Sequence, residues 1–201
     1  MKTYQIHLIR HAVTKGSLEG RYIGHTDESV CEEGMAQLKD IQKNYGEYPE
    51  VDAVFCSPLK RCIETAQAIY PDRNPIILDD LREYDFGEFE GKTAQELELN
   101  PDFKDWAAGK LSAPKGGEDN TDFIKRLCVG LNTVIVDMLN NEIASAGVIM
   151  HGGAIMMLLG CCAVPRKHSV EWTSDNGRGY SIMITPSLYH SSGIVEVYDI
   201  I

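Results

Sequence analysis

Basic charge is scarce in this chain: 19 Lys and Arg stand against 30 Asp and Glu, a formal net charge of -11 over 201 residues. Nucleic acid and anionic lipid both demand a basic face, so neither is an expected partner, and any anion site has to be local, built from a few placed cations. Long apolar runs are missing as well. None approaches the roughly 20 residues that span a bilayer, and Met1 to His7 has no apolar core of the kind a secretory signal carries. A cytoplasmic protein that does not engage a membrane is expected. The cysteines, Cys31, Cys56, Cys62, Cys128, Cys161 and Cys162, show none of the paired two-residue gaps that set sulfurs around zinc. They read as buried, reduced thiols, and no metal or cofactor is expected. Repeats and low-complexity tracts are absent, and with 43% hydrophobic and 24% charged residues the chain has globular composition. One domain spanning residues 1–201 is the expectation.

What is present is an alternation of short apolar runs with helical segments, the pattern of a mostly parallel central sheet covered by helices on both faces in a three-layer α/β/α arrangement. Strands are expected at Tyr4 to Ile9, Val51 to Cys56, Pro75 to Leu78, Gly147 to Met150, Tyr180 to Thr185 and Ile194 to Val197. Helices are expected at Glu32 to Tyr45, Leu59 to Ile69, Thr121 to Asn140 and from Ala154, with another beginning over Thr93 to Glu98. Ser57-Pro58 reads as a cap followed by a first turn. The stretch from Trp106 to Asn120 has loop composition and is a candidate border of a site.

Two of the apolar runs end on polar residues, Leu8-Ile9-Arg10-His11 and Val148-Ile149-Met150-His151-Gly152-Gly153. Side chains at the carboxyl end of a buried strand face the crevice where α/β proteins bind ligands. Two imidazoles and an arginine in that place point to phosphoryl chemistry, because a phosphoryl group in flight spreads negative charge that arginine forks and imidazoles can hold. Arg61, one turn into the helix after Cys56, would bring a second fork to the same crevice. A neutral imidazole whose other nitrogen is tied to an acceptor is a competent nucleophile, the role expected of His11. His151 would donate to the phosphoryl oxygens, and Gly152 and Gly153 would let the backbone approach them. A leaving alkoxide needs a proton, and Glu83, in an aromatic and glycine-containing turn, is the candidate acid, with Asp85 and Glu88 as neighbouring alternatives. His7 reads as structural and His25, His168 and His190 as surface residues. Tyr84 and Trp106 read as either core aromatics or substrate walls.

In order and spacing, Arg10-His11-Ala12-x-Thr14, Gly24-His25-Thr26-Asp27, Ser57-Pro58-Leu59-x-Arg61, Thr65-Ala66, Leu81-x-Glu83-x-x-Phe86-Gly87-x-x-Glu90-Gly91, Gly116-Gly117-Glu118 and His151-Gly152-Gly153 resemble the histidine phosphatase superfamily, also called phosphoglycerate mutase-like. The resemblance covers nearly the whole chain. It implies a phosphoglycerate mutase-like fold, a phosphohistidine at His11, phosphate binding by Arg10, Arg61, His151, Gly152 and Ser17, and a proton donor at Glu83. Thr14, Ile23, Gly24 and Tyr84 are the implied substrate contacts. The stretch from Glu83 to Thr93 is most similar to α-ribazole phosphatases. The mutases of the family carry an arginine-bearing insertion before the second histidine, whereas Phe103 to Asp122 here offers only Lys104, Lys110 and Lys115. Hydrolysis of a small phosphorylated metabolite is therefore expected, with mutase-type transfer and a non-catalytic phosphate-binding module as the competing readings. The chain departs from the family pattern at Ala12, Val13, Ser17 and Val30-Cys31, where glycine, glutamate, asparagine and Leu-Thr are usual. Assembly is left open, a homodimer included.

Overall fold

The computed structural model describes residues 3–201. In chain order the elements are β1 (Tyr4–Arg10), α1 (Lys15–Leu18), α2 (Glu32–Tyr45), β2 (Ala53–Cys56), α3 (Lys60–Ile69), β3 (Ile76–Ile77), α4 (Pro101–Ala107), α5 (Asn120–Asn140), β4 (Ser145–Met150), α6 (Gly152–Cys162), β5 (Ala163–Val164), β6 (Gly179–Ile184), α7 (Pro186–Ser192) and β7 (Val195–Ile200). The strands form one seven-stranded sheet in the order β3-β2-β4-β1-β6-β7-β5. β1 pairs parallel with β4, β4 with β2, β2 with β3 and β5 with β7, while β6 runs antiparallel to β1 and β7.

Side-chain alternation along the strands divides the interior in two. Ile6 and Leu8 of β1, with Phe55, Val148 and Met150, face a core completed by Phe123, Leu127 and Leu131 of α5 and Ile155 and Leu158 of α6. Ile9, Val54, Cys56 and Ile149 face the other way, against Leu38 of α2 and Cys62, Ala66 and Ile69 of α3. These are the three expected layers. The apolar positions of α5 recur every three or four residues, which is why one face of a 21-residue helix is buried.

Strand register is what assembles the site. Arg10 lies opposite Met150 in the β1–β4 pair, and Cys56 lies opposite Ile149 in the β2–β4 pair. The next residues, His11, His151 and Ser57, therefore leave three adjacent parallel strands at the same edge of the sheet. That edge is where open α/β sheets place their ligands.

Two expectations change. Thr93 to Glu98 is a run of turns, because Thr93 is captured in a bridge with Arg21. The helix starts later, at Pro101, where the Asn100 side chain accepts from Asp102 N–H and Phe103 N–H and proline occupies the first turn. Ser57 does not cap α3, whose N-cap residue is Leu59 with no side-chain cap bond; its hydroxyl is engaged at His151 instead. Cys31, at the start of α2, likewise makes no cap bond and donates its thiol to Val13 O at 3.3 Å. Among the described residues no helix is long and apolar enough to cross a membrane.

Leu127, fully buried where α5 meets the sheet, makes this packing testable. Leu127→Ala is expected to cost about 2–5 kcal/mol, read as a lower urea midpoint with an unchanged denaturant slope.

Candidate active site

His11 sits just past β1 and is almost entirely buried. Its main-chain N–H donates to Met150 O at 2.9 Å, its carbonyl accepts from the Asn176 side chain at 2.9 Å, and Nδ1 lies 2.7 Å from Ala12 O. A carbonyl can only accept, so Nδ1 carries the proton and Nε2 keeps its lone pair. Burial first, then the charges of Arg61 and Arg10, push the ring's basicity well below its ordinary value of 6.5, against the Ala12 hydrogen bond, which raises it. The imidazole is neutral, with one nitrogen fixed and the other available.

Behind it lies a second imidazole. His151 is fully buried at the N-terminus of α6, its ring in edge contact with that of His11 at 5.2 Å between centroids. Arg61 Nε donates to His151 Nδ1 at 3.3 Å, so the His151 proton must be on Nε2, which donates to Ser57 Oγ at 2.8 Å. Burial and the Arg61 charge also hold this ring well below the usual pKa. Arg61 itself has no exposed surface; its two terminal nitrogens donate to Thr26 O and Gly24 O, each at 2.7 Å.

In front of His11 a cavity of about 340 Å³ is floored by Arg10, His11, Glu83, Gly152 and Gly153. Arg10 donates to Ser174 O at 2.7 Å, while its buried Nε–H has no acceptor among the described residues. A Cβ on Gly152 would stand only 3.0 Å from that nitrogen, so the missing side chain is what lets the guanidinium lie across the start of α6. Glu83 accepts from Tyr84 N–H and Gly153 N–H, both at 2.9 Å. Burial raises its pKa above the ordinary 4.5, opposed by those two hydrogen bonds and by Arg61 and Arg10. A carboxyl that retains its proton more readily than usual thus shares a cavity with an unprotonated imidazole nitrogen. Among the described residues no three His, Cys, Asp or Glu side chains are grouped so as to hold a metal ion.

The residues singled out from the sequence are brought together unevenly. Arg10, His11, Ser17, Ile23, Glu83 and Gly152 line the cavity; Arg61 and His151 form the layer behind it. Ser17 and Thr14 bond to each other at 2.9 Å in a capping box at the start of α1. Gly24 takes part through its backbone, accepting from Arg61 and donating to Glu90 Oε1 at 2.8 Å. Tyr84 is a core aromatic packed with Phe86, Trp106 and Phe123, its hydroxyl accepting from Trp106 Nε1 at 3.3 Å. Asp85 takes the Gly87 N–H instead of facing the cavity. The 106–120 stretch braces the turn after Glu83, with Glu118 N–H donating to Asp85 O and Glu88 N–H to Lys115 O, each at 3.0 Å.

Four contributors were missed from the sequence. Ser57 holds His151, and Thr65 Oγ1 accepts from Ala12 N–H at 2.9 Å. Arg126 reaches from α5 to the carbonyls of Asp80, Arg82 and Glu83 while paired with Glu118 at 2.7 Å. Arg21 lies on the far wall of the cavity. Ser57 and Thr65 had a signal, being inside the Ser57-Pro58-Leu59-x-Arg61 and Thr65-Ala66 motifs; the other two look like ordinary helix or loop residues.

The sheet order and the paired histidines at its carboxyl edge define the class, an α/β protein of phosphoglycerate mutase-like fold. Residues 6–187 match the family model described as histidine phosphatase superfamily, branch 1, and the chain belongs to that superfamily. It is 33% identical over 158 residues to a bifunctional protein of Mycobacterium tuberculosis, a match covering 76% of this chain and 42% of that protein. The chain thus spans less than half the length of that relative. It is 30% identical over 126 residues to the adenosylcobalamin/α-ribazole phosphatase of Salmonella typhimurium, covering 60% of this chain and 61% of that one. Among solved structures, a putative α-ribazole-5′-P phosphatase from Escherichia coli superposes with TM-score 0.78 at 22% identity, covering 97% of this chain and 94% of the other. Phosphoglycerate mutase from Thermus thermophilus gives 0.72 at 23% identity with 98% of both chains covered. These superpositions show the fold.

Removing the Ser57 hydroxyl leaves the His151 Nε2–H buried without its acceptor. Ser57→Ala is expected to destabilise the protein by about 1–3 kcal/mol in a denaturant titration, and Ser57→Thr, which keeps the hydroxyl, by less.

Proposed function

We propose that this protein is a metal-independent phosphomonoesterase that hydrolyses a small phosphorylated metabolite through a phosphohistidine on His11. One observation carries the reading: a neutral imidazole with Nδ1–H fixed on Ala12 O opens onto the same cavity as a guanidinium and a buried carboxyl of raised pKa. In the first step His11 Nε2 attacks phosphorus, and Glu83 gives its proton to the departing alkoxide. In the second a water attacks the phosphohistidine and loses its proton to the Glu83 carboxylate, restoring both groups. Arg10 holds the peripheral oxygens. Arg61 and His151 bind phosphate from behind His11, His151 shifting its Nε2–H from Ser57 to the anion.

Hydrolysis is favoured over mutase chemistry because Lys104, Lys110 and Lys115, the cations of the stretch where the mutases carry their arginine-bearing insertion, are exposed and none lines the cavity. α-Ribazole 5′-phosphate is the first substrate to try, given the similarity of Glu83 to Thr93 to that branch and the name of the Salmonella relative. The intact set of two histidines, two arginines and one carboxyl speaks against a module that only binds phosphate.

Rapid quenching with a good substrate should leave an acid-labile phosphate on His11 by mass spectrometry, His11→Ala should lose turnover, and a chelator should leave the rate unchanged. Phosphate at another residue, or activity in His11→Ala, overturns the mechanism. The pH profile follows from the two shifts. His11 must be unprotonated and its pKa lies below 6.5, whereas Glu83 must be protonated and its pKa lies above 4.5. The plot of kcat/KM against pH is therefore expected to be bell-shaped, with an acid limb from His11 and an alkaline limb from Glu83 that Glu83→Gln removes.

A further inference from the structure

A second cavity, of about 400 Å³, borders the chain segment that supports Arg10. One wall is a single face of α2, where Gln37, Ile41 and Tyr45 recur every fourth residue. The other is the chain from Thr173 to Tyr180, with Ile200 of β7 beside it. Gly177, at φ +75, lets the two walls close, since a Cβ there would stand only 2.9 Å from Ile41 Cδ1 and Leu38 Cδ2. No residue lines both this cavity and the one in front of His11.

The polar groups of this second cavity are unmatched. Arg178 lies over the Tyr45 ring at 4.3 Å, a stacking that leaves the in-plane N–H groups of a guanidinium free, and among the described residues its side chain makes no hydrogen bond or ion pair. Asp175, three residues earlier, likewise has no side-chain hydrogen bond or ion pair among them. Gln37 Oε1 and Ser174 Oγ are buried with no hydrogen-bond partner. A guanidinium and a carboxylate thus line one cavity without pairing with each other.

A lone anion is poorly served there, because Asp175 shares the lining, and Glu47 and Asp199 line the adjoining cavity that Arg178 and Tyr45 also border. A lone cation meets the Arg178 guanidinium. A zwitterion satisfies both charges. Its carboxylate matches the planar fork of Arg178, and its ammonium matches Asp175, with Gln37 Oε1 and Ser174 Oγ as spare acceptors for the remaining N–H groups. Ile41, Tyr180 and Ile200 add apolar wall.

We propose that this cavity binds a free α-amino acid with an apolar side chain, its carboxylate on Arg178 and its ammonium on Asp175. An occupant would touch the segment that orients Arg10: Arg10 N–H donates to Arg178 O and Gly177 N–H to Arg10 O, each at 2.9 Å, while Ser174 O takes the Arg10 guanidinium. The site stands whether or not the protein hydrolyses phosphate esters.

Calorimetric titration of the full chain with L-leucine tests it against two compounds of the same skeleton, 4-methylpentanoate, which lacks the ammonium, and 3-methylbutylamine, which lacks the carboxylate. L-Leucine is expected to bind saturably at one site, and each analogue at least about tenfold more weakly. Arg178→Gln should weaken L-leucine by about tenfold without weakening 3-methylbutylamine, and Asp175→Asn should weaken it as much without weakening 4-methylpentanoate. Neither side chain is in an ion pair, so both variants should keep a thermal midpoint close to wild type. Backbone amide shifts in the wild-type protein locate the ligand independently of any variant, and L-leucine should move the amides of residues 173–180. No saturable binding of L-valine, L-leucine or L-phenylalanine, equal affinity for L-leucine and either analogue, or amide shifts confined to Arg10, His11 and Gly152 overturns the assignment.

Discussion

A fully buried guanidinium holds this site together. Arg61 cannot give up its charge, so a position with no exposed surface is tolerable only if its donors are met, and three of its nitrogens are. Meeting them fixes other things. The carbonyls of Gly24 and Thr26 are drawn in, which sets the course of the chain after the wall residue Ile23. His151 is forced into the tautomer that donates to Ser57. The same charge disfavours protonation of both imidazoles and opposes the rise in the Glu83 pKa. Replacing it by lysine would keep the charge and lose the three-way fork.

Around that centre, support for the acid comes from a distance in sequence. Glu83 lies on a turn with few hydrogen bonds of its own, yet Arg126 gathers three carbonyl groups in its neighbourhood, and the glycine pair Gly116-Gly117 packs against Asp85 and Gly87. A Cβ on Gly117 would overlap Asp85 O, and Gly87 at φ +49 faces the 115–117 backbone just as closely. The loop-like composition of residues 106–120 therefore encodes a brace beneath the aromatic cluster of Tyr22, Tyr84, Phe86 and Trp106.

Much of this was legible in the sequence, and the reasons are local. α5 was readable because its apolar positions recur at helical spacing, α2 because its composition is helical, and β1 and β4 because buried parallel strands are short unbroken apolar runs. Arg10, His11 and His151 stood out because a polar residue ending such a run falls at the carboxyl edge of the sheet, where ligands bind. The turns at Thr93 to Glu98 were misread because Thr93 and Glu96 form a local capping pattern, Thr93 Oγ1 accepting from Glu96 N–H at 3.1 Å, while a partner far away in the chain, Arg21, decides the backbone. Ser57 looked like a cap for the same reason: a hydroxyl before a proline is ambiguous until register sets it beside His151. Arg126 and Arg21 carried no signal, since a cation on an amphipathic helix or in a loop is ordinary.

The hydrogen bond from His11 Nδ1 to the carbonyl of Ala12 lies between a side chain and the main chain of the very next residue. Every amino acid supplies that carbonyl, so no single substitution at position 12 can delete the acceptor. The acceptor that sets the tautomer of the proposed nucleophile is thus closed to mutational decay at position 12. Divergence can proceed at Ala12, Val13 and Ser17, and in the walls that face the substrate, while the group that would perform the reaction stays in its working form.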